Sequence, residues 1–318
     1  MPVSDGVHLL IPFAASLSPG CQQALAGLQM PHLERLLARL SPGVLEEGDA
    51  DSLSPPHERA LARAYGLASP DGCIPWAAAQ LEQAGRDSYY AAWAWITPCN
   101  WEVGRDNLVM GHPQALQLDP RDAQQLMAAM QPYFEQDGIQ LEYDAPTLWL
   151  ARGEIFRNLP TASLDRVVGR RVDGWMPRGD AGRPLRRLQQ EMQMLLYTHP
   201  VNDARARVGL LPVNSFWASG TGALPPHGKP APSGMEITHY LRDAALREDW
   251  PAWAAAWTQL DATECARLLK ALNGGQPVSV TLCGERSART WSTQGGGWLR
   301  RAAALLGRQR IAQLLEPL

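Results

Sequence analysis

The run Val7-His8-Leu9-Leu10-Ile11-Pro12-Phe13-Ala14 constrains this chain more than any other stretch. It is short, almost wholly apolar and rich in strand formers, the pattern of a strand buried on both faces within a mostly parallel sheet. A turn over Ser16–Gly20 follows. Pro31–Leu40 then places Leu33, Leu36, Leu37 and Leu40 on one helical face. Strand, loop and helix make an opening βα unit. No acidic residue stands between Asp5 and Glu34, so this strand ends without a carboxylate.

The rest of the chain continues the mixture. Ser54-Pro55-Pro56-His57-Glu58 starts a helix, with Ser54 as N-cap and Pro55 where a missing N–H costs nothing. Ile74–Gln83 is a second helix, and Arg121–Phe134 a third after Asp119-Pro120. Ala91–Ile96 and Val213–Ser219 read as strands, the latter closed by a tight turn at Gly220-Thr221-Gly222. Ile139–Tyr143 and Thr147–Leu150 read as a hairpin around Asp144-Ala145-Pro146. Leu185–Tyr197, Ile237–Arg247, Trp250–Leu260 and Thr263–Leu272 have helical periodicity. Val278–Leu282 is a late strand and Leu299–Leu315 a closing helix pair. Glu46–Ser54 is acidic and polar, a surface loop. The expected organisation is one α/β domain over residues 1–318, an inserted subdomain over about 100–185, and a proline-rich linker at 223–234 before a mainly helical C-terminal part.

Composition excludes several classes. Hydrophobic residues at 45% and charged residues at 19% support a packed core. A net charge of −3 gives no field to draw in nucleic acid or an anionic membrane, so neither is an expected partner. The N-terminus lacks a signal-peptide pattern and no window is apolar enough to span a bilayer, which makes cytoplasm the expected location. The five cysteines are scattered and read as small buried thiols.

The densest polar cluster is His199-Pro200-Val201-Asn202-Asp203-Ala204-Arg205, followed by Asn214 on a strand. Such a set near a strand end can hold a phosphate or carboxylate. Alternatively, Asn202 caps a helix and Asn214 satisfies buried backbone. His57 and Glu58 can act as base and acid, or Glu58 can complement a helix dipole. Thr97, Asn100 and Trp101 follow a strand and can line a cleft. The seven histidines are dispersed, with no metal-ligand spacing, and no GxSxG elbow appears. No metal ligand is assigned.

Several motifs occur together in order: LLIPFA, SPPHERALARAYGL, DGCIPWAAA, ITPCNWEVG, EMQMLLYTHPVNDARARVGL and LPVNSFWASGTG. Together they resemble the RpfE-type regulatory proteins of proteobacteria, often named cofactor-independent phosphoglycerate mutases. More distantly, HPVNDARARVGLLPVNSFWASGTG is similar to the NPVN-centred segment of archaeal-type phosphoglycerate mutases. Met30-Pro31-His32-Leu33-Glu34-Arg35-Leu36 resembles their TPNLDRL helix start.

That resemblance implies an alkaline-phosphatase-like core: a mostly parallel sheet flanked by helices, with a smaller inserted subdomain. It also implies two metal ions held by Asp and His at strand ends, one Asp directly after the first strand. That Asp is missing here. The expectation is therefore a non-catalytic or altered-activity member with a regulatory role and no cofactor, binding a small phosphorylated or acidic metabolite through His57, Glu58, Thr97, Trp101, His199, Asn202, Arg205 and Asn214. One alternative is an active phosphoglycerate mutase or phosphatase using manganese or another divalent metal on rearranged ligands. A second is a protein-interaction module presenting Trp250, Trp253 and Trp257, although i, i+3, i+7 spacing usually faces a core.

Overall fold

The computed structural model describes residues 6–67, 69–104, 107–225, 235–293, 311–316 and 318. In chain order the elements begin β1 (Val7–Ile11), α1 (Pro19–Ala26), α2 (Pro31–Leu37), β2 (Ser41–Glu46), α3 (Pro56–Ala64) and α4 (Trp76–Gln83). Next come β3 (Trp93–Cys99), β4 (Trp101–Val103), β5 (Leu108–Met110), α5 (Pro120–Gln136), β6 (Gln140–Ala145), β7 (Leu148–Arg152) and α6 (Leu164–Val167). Then follow α7 (Arg183–Tyr197), α8 (Pro200–Arg207), β8 (Ser215–Gly222), β9 (Met235–Ile237), α9 (Arg242–Leu246) and α10 (Trp250–Leu260). A π-helical turn (Asp261–Cys265), α11 (Ala266–Asn273), β10 (Val278–Cys283), β11 (Ala288–Ser292) and α12 (Ile311–Leu315) complete the described chain.

The chain divides into two compact units. The first comprises Met1–Asp51, Pro55–Ala64 and Ala231–Leu318; the second comprises Ser52–Ser54 and Tyr65–Pro230.

The first unit holds a five-stranded sheet in the order β2-β11-β10-β1-β9. β1 is an interior strand, fourth in that order, and parallel to both neighbours, with Leu9 opposite Val280 and Glu236. Leu9 and Ile11 join a core with Leu25, Leu33, Leu36, Trp253 and Trp257. Leu10 faces the other side, with Cys283, Ala288 and the α3 residues Ala60 and Leu61. Burial on both faces is why β1 is nearly unbroken apolar sequence.

The sheet is mixed, not mostly parallel. β11 returns antiparallel to β10, and β2 pairs antiparallel with β11. Only Gly284–Ser287 separate β10 from β11, too few residues for a parallel crossover. β2 carries no strand pattern in the sequence, because Pro42 and Gly43 are poor strand formers. They are tolerated since β2 is an edge strand with Val44 exposed. The helix expected over Ile237–Arg247 is short, since Ile237 ends β9 and only Arg242–Leu246 is helical. Of the expected closing helix pair, residues 299–310 lie outside the described residues, as does 226–234 of the proline-rich segment.

The second unit holds an antiparallel four-stranded sheet, β6-β7-β3-β8, and the two-stranded β4-β5. The expected β6-β7 hairpin is present, with Leu141 opposite Ala151. α5 and α7 cover one face through Leu126, Met130, Phe134, Leu188, Met192 and Leu196, against Ile96, Trp149 and Phe216. Gly220-Thr221-Gly222 is not a turn beyond the strand but the end of β8 itself. Gly220 sits at φ +62°, and a Cβ there would meet the Trp95 ring at 2.8 Å. The glycine thus permits both a left-handed backbone and close approach of β8 to Trp95.

Among the described residues no helix is long and apolar enough to cross a membrane.

Candidate functional site

In the second unit, the polar cluster converges on Leu211–Asn214, the segment between α8 and β8. Arg205 Nε donates to the Leu211 carbonyl at 2.9 Å. Asn100 Nδ2 donates to the Pro212 carbonyl at 2.8 Å. Asn202 Nδ2 donates to the Val213 carbonyl at 2.7 Å, while its Oδ1 accepts from Val213 N–H at 2.9 Å. Three successive carbonyls are each held by a different side chain. Val213 is fully buried, so an orphaned carbonyl there would cost about 1–3 kcal/mol, and Asn202 answers a backbone requirement.

Asn202 uses both amide hydrogens, the second on the Leu196 carbonyl at 2.8 Å, and is only 7% exposed. Arg205 is 2% exposed and also reaches the Leu116 carbonyl and Asp122 Oδ2. Asn214 exchanges two bonds with the Trp101 backbone, at 2.7 and 2.9 Å. His199 is the N-cap of α8, its Nδ1 accepting from Val201 N–H at 3.2 Å. Partial burial pulls its imidazole below the ordinary titration range. Thr97 is buried on β3 opposite Trp217, and Trp101 packs edge-on against that indole with centroids 6.4 Å apart. The structure therefore gathers Trp101, Asn202, Arg205 and Asn214 around one segment, with His199 at the start of α8 and Thr97 further along β3. Asn100 and Asp122 belong to the same arrangement. Asp122 carried no signal, since nothing in the spacing links it to Arg205, 83 positions later.

His57 and Glu58 belong to the first unit, in the first turn of α3. His57 lies against Phe13, with ring centroids 5.2 Å apart. Phe13 directly follows the Pro12 that ends β1, and its φ of +57° is unusual for a bulky residue. Its carbonyl accepts from the Trp253 indole at 2.9 Å, and the next amide, Ala14 N–H, bonds Cys283 O at 2.8 Å. The neighbours over-determine that conformation.

A carboxylate does stand at this end of β1, from the opposite end of the chain. Glu285, in the β10–β11 turn, accepts from Ser16 Oγ and from Leu17 N–H, each at 3.0 Å. Arg59, on α3, donates to the neighbouring Arg286 carbonyl at 2.9 Å. His57 and Arg59 thus each contact a residue just beyond β1 or β10, and Ser16 and Glu285 pair there, at the usual ligand end of an α/β sheet. Glu285 carried no sequence signal, because only β1–β10 pairing brings it to Ser16.

Two-metal phosphoryl transfer needs several hard ligands at strand ends. The residues present do not fit it. Pro12–Ser16 offer no carboxylate, Glu285 is bonded to Ser16 and Leu17, and among the described residues no three His, Cys, Asp or Glu side chains form a metal-binding group. Burial pushes the Cys99, Cys265 and Cys283 thiols up, which makes them unreactive. Trp253 and Trp257 are fully buried, stacked edge-to-face within the first unit's core.

No family model matches the chain. The solved cofactor-independent phosphoglycerate mutase from Thermoplasma acidophilum aligns with TM-score 0.36 and 14% identity, covering 92% of this chain and 90% of that one. The PH0037 protein from Pyrococcus horikoshii aligns with TM-score 0.43 and 11% identity, covering 93% and 89%. The 2,3-bisphosphoglycerate-independent phosphoglycerate mutases of Methanothrix thermoacetophila and Methanosarcina mazei are each 36% identical over 59 residues, which is 19% of this chain and 15% of each relative. Over that stretch of 59 residues the chain is similar to the 2,3-bisphosphoglycerate-independent phosphoglycerate mutases, and the match spans about 15% of the length of those relatives.

Proposed function

We propose that this chain is a phosphoglycerate-mutase-like protein that has left two-metal chemistry and serves a regulatory role of the RpfE type. On this reading it binds a small phosphorylated or acidic metabolite at the C-terminal end of β1. The observation that carries the reading is the set of groups there: Ser16 Oγ, the His57 imidazole against Phe13, and Arg59, with Glu285 held by Ser16 and Leu17. Hydroxyl, imidazole and guanidinium suit a phosphate or carboxylate. The polar residues of the second unit serve the reading indirectly, since Asn202 and Arg205 are spent on backbone carbonyls.

Thermal shift against phosphoglycerates, other sugar phosphates and dicarboxylates, with and without manganese, tests this. Stabilisation by one compound without metal, lost in Arg59→Ala, supports it. No stabilisation by any compound sinks it.

The second reading is a metal-dependent mutase or phosphatase with rearranged ligands, and Glu285 beside Ser16 is what favours it. Stoichiometric metal in the purified protein, with phosphoglycerate turnover lost in Glu285→Gln, would establish that reading instead.

A further inference from the structure

A buried carboxylate and a surface histidine form a second constellation in the first unit. Asp261 is 3% exposed and opens the π-helical turn between α10 and α11. A π turn inserts an extra residue into the helical ladder and commonly re-aims a side chain at functional positions. Here it aims Asp261 at the start of α2. One carboxylate oxygen accepts from Leu33 N–H at 2.7 Å. The other accepts from His32 N–H at 3.2 Å and from His32 Nδ1 at 2.9 Å. A carboxylate has no proton to give, so Nδ1 carries the hydrogen and the lone pair of the neutral ring is on Nε2. The His32 side chain is 36% exposed.

We propose that His32 is a phosphoryl-acceptor histidine, a covalent modification site set by Asp261. A buried carboxylate on Nδ1 fixes tautomer and ring orientation and raises the basicity of the other nitrogen. The electrophile is a phosphoryl group, because a metal ion would need further ligands and no group of three metal-binding side chains exists among the described residues. Arg35 lies one turn further along α2, where i, i+3 residues are surface neighbours and its charge favours an incoming phosphoryl oxygen.

The donor is an acyl phosphate or a phosphoramidate. The Nε2 lone pair attacks phosphorus and the N–P bond forms. The P–O bond of an acyl phosphate breaks and releases a carboxylate, or the P–N bond of a phosphoramidate breaks and releases ammonia. The Nδ1 proton stays in place. Positive charge arising on the ring faces the Asp261 carboxylate.

The test treats the full chain with phosphoramidate at about pH 8, where an ordinary imidazole is neutral. Peptide mass spectrometry follows initial phosphorylation at His32, His57, His199 and His239, and phosphorus NMR identifies the isomer. The expected result is labelling of His32 at Nε2 about 10-fold faster than at the other sites, a lead lost in Asp261→Asn with unchanged far-ultraviolet circular dichroism. Labelling of His32 no faster than the others, or at Nδ1, overturns the proposal. If Asp261→Asn unfolds the protein, the native comparison among the four histidines decides alone.

Discussion

Ser16 donates its hydroxyl to Glu285 at 3.0 Å across 269 positions of sequence. This bond puts a carboxylate at the end of β1 although the strand itself supplies none. Glu285 also holds Leu17 N–H, so one side chain fixes two points of the loop after β1. Glu285→Ala should lower unfolding free energy by about 1–2 kcal/mol, as loss of charge-assisted bonds at a half-buried place does. Urea unfolding checks this. If the end of β1 binds an anion, Glu285→Gln should tighten that binding by removing a like charge, which isothermal titration would read.

Asn202 offers a sharper substitution. Both amide hydrogens go to carbonyls, Leu196 at 2.8 Å and Val213 at 2.7 Å. Asn202→Asp keeps the shape but sets a carboxylate against two carbonyl oxygens, so it should cost more than Asn202→Ala. A loss of about 3 kcal/mol is expected for the Asp variant, the scale for a buried unpaired charge. Equal stability of the Asp variant and the parent would show that Asn202 does not hold these carbonyls.

How far such features were legible differs by element. β1 was readable because burial on both faces demands apolar residues throughout. The Arg121–Phe134 helix was readable from Asp119-Pro120, and Asp119 does accept from Asp122 N–H at 2.9 Å. β2 and β11 were not, since an edge strand and its neighbour can carry Pro, Gly, Arg and Thr once the sheet pairs them. At the candidate site, the residue types near His199 were visible, but their roles depend on which carbonyls they meet. Arg205 could have faced a phosphate; only the fold sets it against Leu211 and Leu116. Glu285 and Asp261 act across more than two hundred positions, a distance local pattern does not encode.

Gly220 tests the close approach of β8 to Trp95. At φ +62° an alanine is strained, and its Cβ would also enter the indole at 2.8 Å. Gly220→Ala should destabilise by about 1–3 kcal/mol through backbone strain and collision. Gly85, at φ +71° with nothing near its Cβ position, separates the two effects. Gly85→Ala carries the strain alone and should cost less. Denaturant unfolding of the pair makes the comparison, and equal losses would count against a steric role for Trp95.

His8 makes stability depend on pH. Its Nε2 meets Thr281 Oγ1 at 2.7 Å, and Thr281 meets Thr290 Oγ1 at 2.7 Å, a polar ladder across three strands. Burial lowers the His8 titration below its ordinary value, because desolvation disfavours the imidazolium. The unfolded chain, with an imidazole titrating near about 6.5, then binds more protons than the folded chain just below that pH. Unfolding free energy therefore rises with pH in this window. The contribution is fully present above the unfolded value and lost as pH falls toward the lowered folded value. His199, lowered by partial burial, adds a slope of the same sign. Urea titrations between about pH 5 and 8 should show stability falling on acidification, with a shallower fall in His8→Gln. A slope unchanged by that substitution would place the titration elsewhere.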